Sequence, residues 1–487
     1  MKNLSEQASP TSQTHEKPAS LSRAHFIGVG GSGMAGIALI AHKRGINVSG
    51  SDLKESLYIQ ALLREGVPVV FNHNATNIDD PTIEVVVVST AIPKSNPEYI
   101  AAQARGIPIW SRARMLAYLG EGFLTLAVAG THGKTTTSSL LATSLTYLKA
   151  DPTFLIGGVV DGFDASAHLG FGPYYVIEAD ESDGSFVEFN PHLAIITNIE
   201  ADHLDHFEGI EEIHSSFSSF LEKVDDNGLV IACADSPDLV ELVQASGKPF
   251  ITYGAHENAD VRFEVKGVMD FEVIYPDGMV QPFALGATPG VHNMLNSTAV
   301  AAALDWLGFN RQAAALAVGT FGGVRRRFER IGTAAGVLVV DDYGHHPTEV
   351  AATLQAVVSL GFSHVHVLFQ PHRYTRTVAL MDEFASAFDA ANTITLMDVY
   401  SAGETPIPGV SSAALMEAII RHDPNASVRL ITQREVIADA MVDLAEPGDI
   451  IITMGAGDVT LFAPQILALL QKKEALSLGD VLESLAS

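Results

Sequence analysis

Short apolar runs, each followed by polar or glycine-rich residues, recur along the chain. Residues 83–91 (IEVVVVSTA) and 123–129 (FLTLAVA) are two examples, and the second leads into a helical stretch at 135–148. Apolar runs of this length are typical of parallel strands that helices cover on both faces. The pattern therefore predicts an α/β protein in which strands alternate with helices.

The first such segment predicts a strand, a glycine-rich turn, a helix and a second strand. Gly28, Gly30 and Gly33 have the spacing G-x-G-x-x-G, and Asp52 follows 19 positions after Gly33. In βαβ units of this kind the turn and the helix N-terminus bind a pyrophosphate. A bound nucleotide is predicted, although the pattern fits NAD and a UDP-sugar equally well, and a turn that serves packing alone is the structural alternative.

A second glycine turn, GTHGKTT at residues 130–136, follows the apolar run 123–129. Gly133 frees the backbone to wrap phosphate oxygens, Lys134 supplies a positive charge to the β- and γ-phosphates, and Thr135 offers a hydroxyl to Mg²⁺. Val128 stands where a complete phosphate loop has its first glycine. The turn still predicts a triphosphate site.

Acidic residues crowd the end of a later apolar run, in VIEADESD. Glu178, Asp180, Glu181 and Asp183 would repel one another unless a cation such as Mg²⁺ is present. Glu178 lies nearest the strand and is the candidate metal ligand, and His203 in the next such loop is an additional candidate for the magnesium or phosphate site. A solvated acidic loop is the alternative.

Further candidate chemistry lies in the second half of the chain. His292, Asn293 and Asn296 open a predicted helix, where asparagine either caps the helix or hydrogen-bonds a base. The last segment repeats the strand-and-loop plan and predicts a second, smaller doubly wound sheet. Two basic groups on its loops are suited to binding carboxylate or phosphate: Arg325 to Arg327, and His372 with Arg373 and Arg376.

Composition restricts the possible partners. The chain has 487 residues with 29 Lys and Arg against 57 Asp and Glu, a formal charge of -28, so its surface would repel nucleic acid and anionic membranes. One cysteine, Cys233, excludes an internal disulfide framework and suits a cytoplasmic protein. With no 18-residue apolar run, membrane insertion is not predicted.

Seven stretches in this order resemble the Mur ligase family: GTHGKTTT, EADESD, DHLDHF, GVHNMLN, RRRFE, DDYGHHPTEV and QPHRYTRT. The resemblance covers residues 24–458 and implies three α/β domains. These would be a Rossmann-like UDP-sugar domain at 23–122, a P-loop-type ATPase domain at 123–324 and a Rossmann-like domain at 325–487, after a disordered tail at 1–22. The implied activity joins L-alanine to the lactyl carboxylate of UDP-N-acetylmuramate through an acyl phosphate, with ATP and Mg²⁺, in a monomer or weak dimer.

The resemblance also implies site residues. The ATP side would comprise Gly130, Thr131, His132, Gly133, Lys134, Thr135, Thr136, His292, Asn293, Asn296, Arg327, Asp342 and His345. Metal ligands would be Thr135, Glu178 and His203, and the UDP-sugar side Gly28, Gly30, Gly31, Gly33 and Asp52. His372, Arg373 and Arg376 would meet the incoming amino acid, and Lys134, His203, Arg373 and Arg376 would carry catalysis.

Other functions remain open at this stage. Family members that add later residues carry a modified lysine about fifteen positions after the histidine matched by His203, and residues 204–222 contain no lysine. A family member that attaches a ready-made tripeptide to the same sugar is the nearest competitor. An NAD-dependent oxidoreductase would use the turn at residues 28–33, and a non-catalytic nucleotide-binding scaffold is a third possibility.

Overall fold

Three β-sheets organise the chain in the computed structural model. The structure describes residues 21–89, 91–163, 165–180, 185–200, 207 and 209–486. Within that part, no helix has both the length and the apolar character needed to cross a bilayer. The sheets occur in chain order and are mostly parallel, as the apolar runs predict. The exact domain limits stay a prediction.

The first sheet has five parallel strands in the order β3-β2-β1-β4-β5. Its strands are β1 (Arg23–Ile27), β2 (Asn47–Ser51), β3 (Val69–Val70), β4 (Val85–Val88) and β5 (Ile109–Ser111). Its helices are α1 (Ser32–Lys43), α2 (Leu57–Arg64), α3 (Pro97–Ala104) and α4 (Arg112–Gly120). The glycine turn predicted at residues 28–33 joins β1 to α1.

The second sheet has ten strands in the order β15-β14-β13-β12-β11-β10-β6-β9-β7-β8. They are β6 (Leu124–Ala129), β7 (Thr153–Val160), β8 (Ala165–His168), β9 (Tyr174–Glu178), β10 (Leu193–Ile196), β11 (Leu229–Cys233), β12 (Phe250–Gly254), β13 (Val261–Val265), β14 (Asp270–Ile274) and β15 (Val280–Ala284). The helices are α5 (Lys134–Tyr147), α6 (Ile210–Glu222), α7 (Pro237–Ser246), α8 (Val291–Trp306) and α9 (Arg311–Gly319). β14 and β15 extend the sheet as antiparallel strands that the sequence analysis missed.

The third sheet has six strands in the order β16-β17-β21-β18-β19-β20. They are β16 (Glu329–Ala334), β17 (Val337–Asp342), β18 (Val365–Phe369), β19 (Thr393–Leu396), β20 (Val428–Leu430) and β21 (Ile450–Met454). The helices are α10 (Pro347–Val358), α11 (Tyr374–Ala379), α12 (Met381–Ser386), α13 (Ser412–His422), α14 (Ile437–Leu444) and α15 (Phe462–Ala486). Only β16 is antiparallel to its neighbour.

The hydrophobic cores do not follow the three sheets one to one. A single core runs from Ala24 to Val324 and includes residues of both the first and the second sheet. It is continuous because α1 packs against β7 and β8, where a Cβ on Gly36 would lie 3.0 Å from the Cβ of Ala167. The third sheet has two cores of its own, one on each face. The first two domains are therefore packed as one unit, and the third is separate.

Candidate active site

The phosphate loop lies between β6 and α5, where the sequence places it. Gly130 and Gly133 have φ values of +125° and +83°, and residues with a Cβ rarely adopt such values. Gly133 is the N-cap of α5, so the first free N–H groups of that helix face the same space as the loop. Lys134 is buried, and its Nζ donates to the carbonyls of Gly130 (2.7 Å) and Thr131 (3.2 Å). These features form a ready-made anion site.

Two predicted metal ligands lie next to each other. Thr135 Oγ1 donates to Glu178 Oε1 at 3.0 Å, and the backbone N–H of Gly157 donates to Glu178 Oε2 at 2.8 Å. This pair of oxygen ligands is suited to a hard cation such as Mg²⁺. Asp180 pairs instead with Arg112, at 3.9 Å. Three other residues named in the sequence analysis lie outside the described residues: Glu181, Asp183 and His203.

The asparagines of α8 line a cleft rather than cap the helix. Gly290 is the N-cap of α8, whereas Asn293 Nδ2 donates to the carbonyl of Pro289 at 2.8 Å. Asn296 Nδ2 donates to Asn293 Oδ1 at 3.4 Å. Their cleft brings together four segments that are distant in sequence. It is lined by His132, Gly133, Thr136, His292, Asn293, Asn296, Arg327, Asp342 and Glu349, among others.

Asp342 closes this cleft from the third sheet. Its carboxylate accepts the backbone N–H groups of Phe328 and Gly344, both at 2.8 Å. Burial raises the pKa of Asp342 to about 6, against the opposing effect of the nearby Arg327 guanidinium. Arg327 itself reaches Glu349, with NH1 3.5 Å from Oε1. Arg327 and Asp342 thus line the same cleft as His132 and Gly133 of the phosphate loop, and their contact with ATP stays a prediction.

Glu349 is the residue that sequence reasoning missed. It lies in the first turn of α10, where its carboxylate accepts the backbone N–H groups of His345 (3.1 Å) and His346 (3.4 Å). Its other oxygen lies 3.3 Å from His132 Nδ1 in the phosphate loop. Pro347 followed by Glu349 is an ordinary helix-start signal and says nothing of a partner more than 200 residues away.

His132 has a second acidic neighbour, Glu200, with Nε2 3.6 Å from Oε2. Burial alone would lower the pKa of His132, but the two carboxylates of Glu200 and Glu349 outweigh burial and raise it to about 9. His346 lies against the same ring, with centroids 4.7 Å apart. His132, Glu200 and His346 also have the spacing of a possible metal site. However, His346 Nδ1 accepts the N–H of Thr348, so neutral His346 carries its proton on Nε2 and offers no lone pair there.

The residues predicted to meet an amino acid extend the site further along the third sheet. The ring of His345 lies 5.9 Å from that of His372, which stacks on Tyr400 at 5.5 Å. Burial lowers the pKa of both histidines, to about 3 for His345 and about 4 for His372, and the charge of Arg376 adds to the effect on each. Both rings are therefore neutral at pH 7.

Arg373 and Arg376 flank His372. Arg373 has φ +72° and its Nε donates to Glu404 Oε1 at 2.6 Å, so its planar group is held in place. Glu404 also accepts the hydroxyl and the N–H of Thr375. Glu404 was not predicted, because it lies in a loop without a recognisable pattern.

The first glycine turn faces a separate cleft, of about 360 Å³. Gly31 lines it, and a Cβ there would meet no atom within 4 Å. The carboxylate of Asp52 accepts the backbone N–H groups of Gly30 (2.8 Å) and Leu53 (2.7 Å), and its place on the UDP-sugar side stays a prediction. The far wall of the cleft is Glu178 and Asp180. The cleft thus leads from the first glycine turn to the Thr135–Glu178 pair.

Three parallel-rich domains around a phosphate loop define a nucleotide-dependent enzyme of the α/β class. Residues 23–124 match the Mur ligase family catalytic domain, residues 128–304 the Mur ligase middle domain, and residues 326–457 the Mur ligase glutamate ligase domain. The chain belongs to the Mur ligase family. The resemblance and the three-domain α/β fold class inferred from the sequence are confirmed.

Individual relatives are similar over nearly their whole length. A UDP-N-acetylmuramate–L-alanine ligase from Anaeromyxobacter sp. is 45% identical over 92% of this chain and 97% of its own. The enzyme of the same name from Acidobacterium capsulatum is 42% identical over 93% and 99%. The solved UDP-N-acetylmuramate–alanine ligase of Thermotoga maritima superposes with a TM-score of 0.75 at 27% identity, over 93% and 99%. A murein peptide ligase from Psychrobacter arcticus gives 0.66 at 25%, over 92% and 99%.

Proposed function

We propose that this chain joins L-alanine to the lactyl carboxylate of UDP-N-acetylmuramate, converting ATP to ADP and phosphate. The observation that carries the proposal is a pair of clefts on either side of the phosphate loop, which the Thr135–Glu178 hydrogen bond connects. One cleft runs from the first glycine turn to Glu178, and the other holds the asparagines of α8 and Arg327. Relatives that are 42–45% identical over more than nine-tenths of the chain bear this activity in their names.

The first cleft is assigned to the sugar nucleotide. Gly31 offers open backbone at the N-terminus of α1, where a pyrophosphate is stabilised, and Gly33 lies beside Arg112. Arg112 lines the same cleft and is the nearest cation for an acidic group on the sugar. Asp52 accepts the N–H of Gly30 and so helps to fix the shape of the turn that would bind the sugar nucleotide.

The second cleft is assigned to ATP. Gly130 to Thr136 would hold the phosphates, His292, Asn293 and Asn296 the base side, and Arg327, Asp342 and His345 the face turned to the third domain. Thr135 and Glu178 would bind Mg²⁺, for which their adjacent oxygens fit, with His203 as a further ligand. A bound Mg²⁺ supplies positive charge to phosphate oxygens.

The reaction follows from placing these ligands end to end. A lactyl carboxylate oxygen attacks the γ-phosphorus and the bond to the ADP oxygen breaks, which gives an acyl phosphate. The amine of L-alanine then adds to the acyl carbon, and the tetrahedral intermediate loses phosphate and a proton. Lys134 stabilises the charge that develops on phosphate oxygens, and Arg373 and Arg376 orient the alanine carboxylate beside His372. No side chain of the enzyme forms a covalent bond.

The test is phosphate release from ATP with UDP-N-acetylmuramate and a panel of L-alanine, glycine, L-serine, D-glutamate and the tripeptide L-alanyl-γ-D-glutamyl-meso-diaminopimelate. We expect the highest kcat/KM with L-alanine. Release with the tripeptide alone would establish the competing ligase, and oxidation of NAD(P)H without phosphate release would establish an oxidoreductase. Absence of turnover with every acceptor would leave a nucleotide-binding scaffold.

The proposal includes where and in what form the enzyme works. Both nucleotide substrates are cytoplasmic metabolites, and the one cysteine among the described residues is buried and reduced, which suits that compartment. We propose the monomer or weak dimer that the family resemblance implies.

A further inference from the structure

Glu349 is a largely buried carboxylate, 14% exposed, and its positive neighbours lie outside its own helix α10. Its partners are His132, in the loop after β6, and Arg327, in the linker before β16. Its remaining hydrogen bonds come from the backbone of its own helix start. A buried carboxylate without a counter-charge is strongly unfavourable. These two cations therefore stabilise α10 in the position that the structure shows.

We propose that Glu349 is a positioning residue that couples closure of the third domain to the orientation of the phosphate loop. Only the expected effect on kcat rests on the proposed function; the expected effect on domain closure does not. It goes further because it assigns a role to a side chain that contacts neither reacting group. When the third domain moves away, His132 loses Glu349 and Glu349 loses His132, so the closed arrangement is favoured by both charges at once.

Other contacts between α10 and the second domain also favour the closed arrangement. The hydroxyl of Thr348, beside Glu349 on α10, donates to Glu200 Oε2 at 3.4 Å, and His346 packs on the His132 ring. The main chain of the loop is tied separately, because His132 N–H donates to Asn198 Oδ1 at 2.8 Å. The side chain of His132 is therefore the part of the loop that responds to the third domain.

The titratable and charged groups that face Glu349 come from every element packed against it. They are His132, Arg327, His345, His292, Asp342 and the N-terminus of α10, of which His345 and His292 are neutral at pH 7. Burial opposes ionisation of Glu349, yet the neighbouring His345, His132 and Arg327 hold its pKa well below the usual range. His132, with a pKa of about 9, is protonated at pH 7. Since that pKa is raised by the closed arrangement, the stabilisation is complete below about pH 6.5 and is lost as the pH rises through about 9.

The test compares Glu349→Gln with Glu417→Gln, an exposed glutamate on α13 of the same domain. Glutamine keeps the size of the side chain and removes the charge. We expect kcat to fall about 10- to 100-fold in Glu349→Gln, with the KM for UDP-N-acetylmuramate unchanged. The alkaline limb of the kcat profile should move to lower pH, because His132 retains one carboxylate neighbour instead of two. Glu417→Gln should match the unaltered enzyme throughout.

A second readout does not depend on catalysis. Dyes on Ser219→Cys in α6 and Ser386→Cys in α12 report the distance between the second and third domains, and the natural Cys233 is buried. Addition of a non-hydrolysable ATP analogue with Mg²⁺ should change energy transfer in the labelled enzyme, and Glu349→Gln should reduce that change at least twofold. An unreduced change together with an unshifted pH profile would overturn the proposal. A labelled enzyme that closes but ligates none of the acceptors would refute the proposed function and leave this inference standing.

Discussion

At the residue scale, the site depends on positions where backbone and side chains approach closely. Thr135 and Glu178 could be paired from sequence, because a phosphate-loop hydroxyl and an acidic strand end belong at the same edge of a parallel sheet. Glu349 could not, since its role exists only after the fold has brought α10 to residue 132. Asp52 was predicted on the UDP-sugar side, and its hydrogen bond from Gly30 N–H shows that it also fixes the shape of the turn.

Gly133→Ala tests the close approach at the phosphate loop. An added Cβ would lie 2.9 Å from Asn296 Oδ1, and the backbone has φ +83°. Gly122 has a nearly identical φ of +82° but open space around its Cβ, so Gly122→Ala is the matched control. We expect both variants to lose about 1 kcal/mol in the free energy of unfolding, measured with urea, from the left-handed backbone.

The two glycine variants should differ in nucleotide binding. Gly133→Ala displaces Asn296 from the cleft, so its ATP affinity measured by calorimetry should fall about tenfold or more, the equivalent of about 1.4 kcal/mol. Gly122→Ala should bind ATP as the unaltered chain does. Equal affinities in the two variants would mean that Asn296 has no part in the nucleotide site.

At the scale of elements, the apolar runs predicted the alternation of strands and helices in the three sheets. They did not predict several of the outer strands. β14 and the edge strands β15 and β16 were missed because each is partly exposed and its sequence lacks a continuous apolar run. The C-terminal stretch belongs to the long helix α15.

Helix α3 is held against the first sheet by hydrogen bonds to the side chain of Glu98, and this contact gives a prediction at the scale of elements. Its buried carboxylate accepts Ser51 Oγ at 2.6 Å and Asn77 Nδ2 at 2.7 Å and contacts His25 at 3.1 Å. Burial opposes the ionised form, but these hydrogen bonds outweigh it and lower the pKa of Glu98 from 4.5 to about 2. Because the folded pKa is depressed, the stabilisation is present above pH 4.5 and is lost as the pH falls towards 2.

Glu98→Gln should therefore be less stable than the unaltered chain at pH 7, and the gap should narrow between pH 4.5 and pH 2. Urea unfolding across this pH range measures the gap, with the exposed Glu55→Gln as the control. A gap that stays constant with pH would assign the effect to packing instead of charge.

At the scale of the whole molecule, the first two domains share one hydrophobic core and the third domain has cores of its own. The sequence shows three similar segments and cannot reveal this, because the contact between α1 and β8 joins residues about 130 positions apart. The third domain has its own cores and meets the second through the polar cluster around Glu349. Polar junctions of this kind allow domains to move against each other.

Calorimetric unfolding should accordingly show two transitions. We expect one for the first two domains together and a smaller one for the third, since no hydrophobic core among the described residues includes side chains of both parts. A single transition whose calorimetric and van't Hoff enthalpies agree would contradict the division.

The packing of Gly36 against Ala167 has a consequence for inhibitor chemistry. It sets a constant separation between the two glycine turns, whatever position the third domain takes. A compound that joins analogues of both nucleotide substrates could therefore use a rigid linker whose length matches this separation. Such a compound would keep its contacts with both turns when residues 372–376 of the third domain are mutated, which an analogue of the amino acid could not do.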